Sequence, residues 1–151
     1  MKILVGVDDS PHSKAALEWI RTMTWPKDTR VMVASVVRPI VGAYVEAYVP
    51  AADDLAETTR VLEQFHEETA AGAGRSLRAA GFPTEAKVLH GDPRNALVDL
   101  ARTEHADLLV VGSHGRTGMT KLVMGSVASH VVTHAPCSVV VVKLPQERRI
   151  P

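Results

Sequence analysis

The sequence predicts one α/β domain over residues 1–151: a doubly wound, five-stranded parallel sheet of order 3-2-1-4-5 with helices on both faces. Three observations carry this. Short apolar runs alternate with helix-spaced segments along the whole chain, which is the pattern of successive strand–helix–strand units. Hydrophobic residues make up 46% of the chain but aromatics only 4%, so the core must be built from Val, Leu and Ala. That composition favours a sheet covered on both sides over an aromatic-rich sandwich. Finally, no internal repeat, low-complexity tract or composition break divides the 151 residues.

The elements follow in order. Lys2 to Val7 is the first strand. Asp8-Asp9-Ser10-Pro11 then opens a helix, with Ser10 as cap and Pro11 at the first helical position. Ala16, Leu17, Ile20 and Met23 hold helical spacing up to Trp25-Pro26. Arg30 to Val37 is the second strand. Pro39 to Ala52 is a long connection carrying Tyr44 and Tyr48, which either cover a ligand, meet a partner or pack the loop down. Asp53 or Asp54 caps a long helix whose inner stripe is Leu55, Leu62, Phe65, Thr69, Ala73, Leu77 and Ala80, and Gly81-Phe82-Pro83 ends it. Glu85 to His90 is the third strand, and Gly91-Asp92-Pro93 starts a helix with Leu97, Leu100 and Ala101 inward. Asp107 to Val111 is the fourth strand. A helix from about Ser126 to His134 places Val127, Val131 and His134 together, and Pro136 breaks it. Ser138 to Lys143, with four consecutive valines, is the fifth strand, and 144–151 is a short tail.

Charge and cysteine content bound the function. The formal net charge is zero, which argues against bulk attraction to nucleic acid or membrane. No apolar run approaches the ~18 residues of a membrane span. The amino terminus reads as a strand and not as a signal sequence, and the single Cys137 cannot form an internal disulfide. These features point to a cytoplasmic protein. His130, His134 and Cys137 suggest zinc, but Pro136 intervenes, no fourth ligand is evident, and Cys137 reads better as a small core residue.

The richest functional signal is Gly112-Ser113-His114-Gly115-Arg116, continuing to Gly125-Ser126 between the fourth strand and the last helix. A glycine-rich loop between a strand and a helix start can turn backbone N–H groups into one concavity, a cradle for phosphate. The bland alternative is an ordinary surface loop with turn glycines. Order 3-2-1-4-5 reverses between strands one and four, so the loops Asp8-Asp9-Ser10 and Gly112 to Gly125 converge on the crevice where such sheets bind ligands. From Leu108 to Gln146 there is no Asp or Glu, whereas Arg116, Lys121, Lys143 and three histidines are present, which favours a polyanion. There is neither a Walker-type G-x-x-x-x-G-K-[ST] nor a dinucleotide-binding G-x-G-x-x-G after the first strand. His114 either donates to a phosphate or is solvated.

On Gly112-x2-Gly115-x9-Gly125-Ser126, the opening Ile3-Leu4-Val5-Gly6-Val7-Asp8-Asp9-Ser10 and the ending Ala135-Pro136-Cys137-Ser138 followed by valines, the chain resembles the universal stress protein family along nearly its whole length. The resemblance implies a homodimer, and the glycine motif implies the ATP-binding branch. Carried over, it sets Asp8 by the ribose or adenine and Val36 in the adenine pocket. Gly112, Gly115, Gly125 and Ser126 would hold the phosphates, with Ser113 and Arg116 close by. Mg²⁺ or Mn²⁺ would be held mainly by the phosphates. Pairing would run through the edge strand Ser138 to Lys143. The expected function is an ATP-binding stress-response or signalling module with slow or absent hydrolysis. A true ATP-using enzyme and a dimeric interaction module without nucleotide are the alternatives.

Overall fold

The computed structural model describes residues 1–40, 52–116 and 123–144. Nine elements alternate: β1 (Lys2–Gly6), α1 (Pro11–Thr22), β2 (Arg30–Val37), α2 (Ala52–Ala79), β3 (Thr84–His90), α3 (Pro93–Thr103), β4 (Leu108–Gly112), α4 (Ser126–His134) and β5 (Ser138–Val142). All strand pairs are parallel, in the order β3-β2-β1-β4-β5. The predicted topology is therefore the observed one.

The strand period of two divides the core into two halves. Ile3, Val5, Val33 and Val110 face α1 and α2, where they meet Ile20, Ala70 and Leu77. Leu4, Met32 and Leu109 face α3 and α4, where they meet Leu97, Ala101 and Val131. Every residue of the run Ile3-Leu4-Val5 is thus buried, alternately on one face and the other. Among the described residues no helix is long and apolar enough to cross a membrane.

Local chemistry sets the boundaries. The Ser10 hydroxyl accepts the Ser13 amide at 3.1 Å, and Pro11 occupies the first turn of α1. That helix stops at Thr22, before the expected Trp25-Pro26, because the chain turns extended at Met23. Trp25 folds back instead, packing edge-on against Trp19 and donating its indole N–H to the Ile20 carbonyl at 2.7 Å. Both Asp53 and Asp54 lie inside α2 and not at its cap. The buried side of α2 is His66, Ala70, Ala73 and Leu77, while Leu62, Phe65 and Thr69 are only half-buried and Ala80 is exposed. Ala73 and Leu77 of the predicted stripe are buried, and in the preceding turns the buried positions are His66 and Ala70 in place of Phe65 and Thr69. Gly81 ends α2 at φ 94°, with the Phe82 amide donating to the Leu77 carbonyl at 3.1 Å.

Asp92 caps α3 by accepting the Arg94 amide at 2.9 Å, and the Arg94 guanidinium on the same carboxylate lowers its pKa to about 2. In α4 the buried pair is Ala128 and Val131; of the expected trio Val127, Val131 and His134, only Val131 is buried. Val127 is half-buried, and His134 is exposed and stacked on His130 with ring centres 4.1 Å apart. Cys137 is half-buried against the α3/α4 side of the core, and burial pushes its thiol pKa up. Among the described residues no group of His, Cys, Asp or Glu could hold a metal ion.

Candidate functional site

A cleft of about 630 Å³ opens at the carboxyl ends of β1, β2 and β4. Its walls include Val7 and Asp8 after β1, Ala34, Val36 and Arg38 along and just beyond β2, and Leu97 of α3. The glycine loop supplies Gly112, Gly115 and Arg116, α4 supplies Gly125 and Ser126 at its start, and α2 supplies His66. This is the place where the sheet order reverses: α1 leaves β1 towards β2, and α4 leaves β4 towards β5. Of the site residues expected from sequence, all but Ser113 line this one cavity. Tyr44, Tyr48 and Lys121 lie outside the described residues, as does most of the connection from Pro39 to Ala52.

The two loops are tied together by Asp8. One carboxylate oxygen accepts the Ser10 amide at 3.1 Å, and the other accepts the Arg116 amide at 3.0 Å. A Cβ on Gly115 would stand 2.8 Å from that second oxygen, so glycine is what allows the carboxylate to reach the loop. Asp9 takes the opposite direction. It adopts φ 62° and pairs with Lys14 at 2.9 Å on the surface.

Ser113 lies beneath the loop and not on the cleft wall, with 2% of its surface exposed. Its amide donates to the Val142 carbonyl, its carbonyl accepts the Gly125 amide (both 2.8 Å), and its hydroxyl meets His114 Nδ1 at 3.1 Å. The outgoing and returning limbs of the loop are thereby pinned. A Cβ on Gly125 would lie 3.1 Å from the Ser113 carbonyl oxygen and 3.2 Å from His114 Cα, so any side chain at this crossing must push the two limbs apart by a few tenths of an ångström. His114 spans the same crossing. Its Nε2 donates to the Val123 carbonyl, so in the neutral ring Nδ1 accepts from Ser113. Gly112 acts elsewhere. A Cβ there would come within 2.7 Å of the His12 backbone, so this glycine lets α1 dock against β4.

Gly125 is the N-cap of α4 and offers no side chain to the first turn. The amides at Ser126 and beyond therefore begin a helix whose positive end borders the cavity. Arg116 adds a full charge. Its guanidinium carbon sits 4.5 Å above the Phe65 ring centre, a cation–π contact that links the glycine loop to α2. The walls thus combine a hydrocarbon slot (Ala34, Val36, Leu97), two guanidinium groups (Arg38, Arg116) and an open helix start.

Sequence reasoning does not single out His66. It is 8% exposed, and its Nδ1 lies 2.7 Å from the Ser35 hydroxyl, which donates to the Val7 carbonyl at 2.9 Å. Burial first, and then the Arg116 charge, lower its pKa. A signal is present in the sequence: residues 66, 70, 73 and 77 also keep helical spacing, i, i+4, i+7, i+11, but the period does not distinguish a core histidine from a cleft one.

Fold and cleft together define a doubly wound α/β protein with a ligand crevice at its switch point. The universal stress protein family model matches residues 1–143, and the chain belongs to that family. It is 30% identical over 148 residues to universal stress protein MJ0531 of Methanocaldococcus jannaschii, covering 97% of this chain and 84% of that one. Among solved structures it is similar to universal stress protein UspA from Lactobacillus plantarum, with a TM-score of 0.79 and 26% identity over 94% of this chain and 97% of that chain. It is also similar to the universal stress protein from Archaeoglobus fulgidus in complex with dAMP, with a TM-score of 0.64 and 25% identity over 95% and 98% of the two chains.

Proposed function

We propose that the cleft binds ATP, with Mg²⁺ or Mn²⁺ carried mainly on its phosphates, and that the protein is a nucleotide-gated stress-response module. The observation that carries this reading is the Gly125-Ser126 start of α4. It is an open helix terminus without a side-chain cap, and it faces the same cavity as Arg116 and a hydrocarbon slot. Helix amides and a guanidinium suit phosphate oxygens, and the Ala34–Val36–Leu97 slot suits a flat base. The dAMP bound by the Archaeoglobus relative supports a nucleotide as the ligand class.

Slow or absent hydrolysis belongs to the same reading. The glycine loop from Gly112 to Gly125 carries no Glu or Gln to position an attacking water, and holding the phosphates equally well before and during reaction gives binding without rate. The protein is further proposed to form a homodimer through β5, the edge of the sheet, whose Val139, Val140 and Val141 are only half-buried. Calorimetric titration with Mg–ATP tests the central claim: saturable heat is expected, and no heat from folded protein would overturn it.

A further inference from the structure

The proton count around His66 fixes what this residue offers. The Val7 carbonyl can only accept, so the single Ser35 hydroxyl proton is committed to it. The 2.7 Å contact between Ser35 and His66 then requires Nδ1 to be the donor. In a neutral ring this leaves Nε2 as a bare lone pair. Among the described residues Nε2 has no hydrogen-bond partner, yet no buried side-chain nitrogen or oxygen goes unpaired. The space that His66 borders is the cleft. Burial and then the nearby Arg116 charge hold its pKa below the ordinary value, so the neutral ring offers Nε2 as an acceptor at neutral pH.

An acceptor repels phosphate oxygens, which have no hydrogen to give, and attracts an O–H or N–H. His66 belongs to α2 on one face of the sheet and the open start of α4 belongs to the other, although Arg116 reaches α2 through Phe65. We propose that His66 is a specificity-determining residue whose Nε2 accepts a hydrogen bond from a nucleoside hydroxyl or amino group, so that the cleft has a donor-lined phosphate end and an acceptor at its nucleoside end. This rests on the nucleotide reading of the cleft.

Titration of the full chain with ATP, 2′-deoxy-ATP, 3′-deoxy-ATP and inosine triphosphate tests it. One analogue, the one lacking the group that His66 reads, should bind roughly threefold to tenfold more weakly than ATP, the effect of one neutral hydrogen bond. His66→Phe should bind ATP and that analogue equally, and His66→Gln, which keeps an acceptor, should restore part of the preference. A folded His66→Phe protein that keeps the wild-type preference, or a wild type that binds all four alike, would overturn the assignment while leaving nucleotide binding intact. A wild type that binds none of them overturns the nucleotide reading itself. Nitrogen-15 shifts of the wild-type ring give a check that needs no variant: Nδ1 protonated and Nε2 bare is expected, and the reverse tautomer refutes the proposal.

Discussion

The Asp8 carboxylate holds the Arg116 amide at 3.0 Å, across the gap between the loop after β1 and the loop after β4. One acidic side chain that lines the cleft thus ties its two loops together. Asp8→Ala should loosen the glycine loop and weaken ATP binding at least tenfold. It should cost only about 1–2 kcal/mol of stability, because the carboxylate is half-buried and mostly hydrogen-bonded to loop amides. Titration calorimetry and urea unfolding on the same sample separate the two effects.

The three glycines should fail differently. Gly112→Ala would drive a methyl group into the His12 backbone, and overpacking of this kind costs about 1–3 kcal/mol. Gly115→Ala would meet only the Asp8 carboxylate, which can swing aside, so it should lose nucleotide affinity with a near-normal unfolding midpoint. Gly125→Val should also lose binding, since it parts the limbs pinned by Ser113. Equal destabilisation by all three would contradict this ranking.

Stability should fall on the acid side of the ordinary histidine range. His66 has a folded pKa below the ordinary value of 6.5, held there by burial and by Arg116 and His90, against an opposing pull from Asp8. The unfolded chain therefore takes up this proton first. The contribution is fully present above pH 6.5 and is lost as pH drops through the lower folded pKa. His66→Phe should flatten the unfolding free energy between pH 7 and the folded pKa, as read from urea midpoints. Asp92, lowered from 3.8 to about 2, acts in a separate and more acidic window, where the cap of α3 loses its charge.

Light scattering at micromolar concentration should report a dimer. Val141 pairs with Val111 on its inner side and has no strand beyond it among the described residues. Val141→Pro should yield monomer or aggregate. A wild-type monomer would remove β5 pairing from the proposed function.

Phosphate release at saturating Mg–ATP should stay well below about 1 per second, the lower end of ordinary enzyme turnover. Faster release that disappears in Gly115→Ala would move the assignment to an ATP-using enzyme.

The topology was legible because β1, β2, β4 and β5 are short apolar runs and two of the helices between strands open on clear caps: Ser10-Pro11 and Asp92-Pro93 both start helices as read. The convergence of Asp8, Gly115, Arg116 and Ser126 followed from strand order alone. Side-chain facing was harder. Helix period fixes a stripe only to within a residue, and that uncertainty hid His66 and misplaced Val127 and His134. The roles of individual glycines were also hidden. Gly112 looked like part of a phosphate cradle, but the atom that forbids its side chain belongs to α1, and no local pattern reports a contact so distant in sequence.

Ser113 uses its amide, carbonyl and hydroxyl to join the sheet edge, the returning limb and His114. The ends of the glycine loop are therefore closed by folding and not by a guest. Under the nucleotide reading, that part of the loop-closure cost does not fall on the ligand. Cutting the anchor with Ser113→Pro, which deletes the amide bonded to Val142, would return that ordering cost to the ligand.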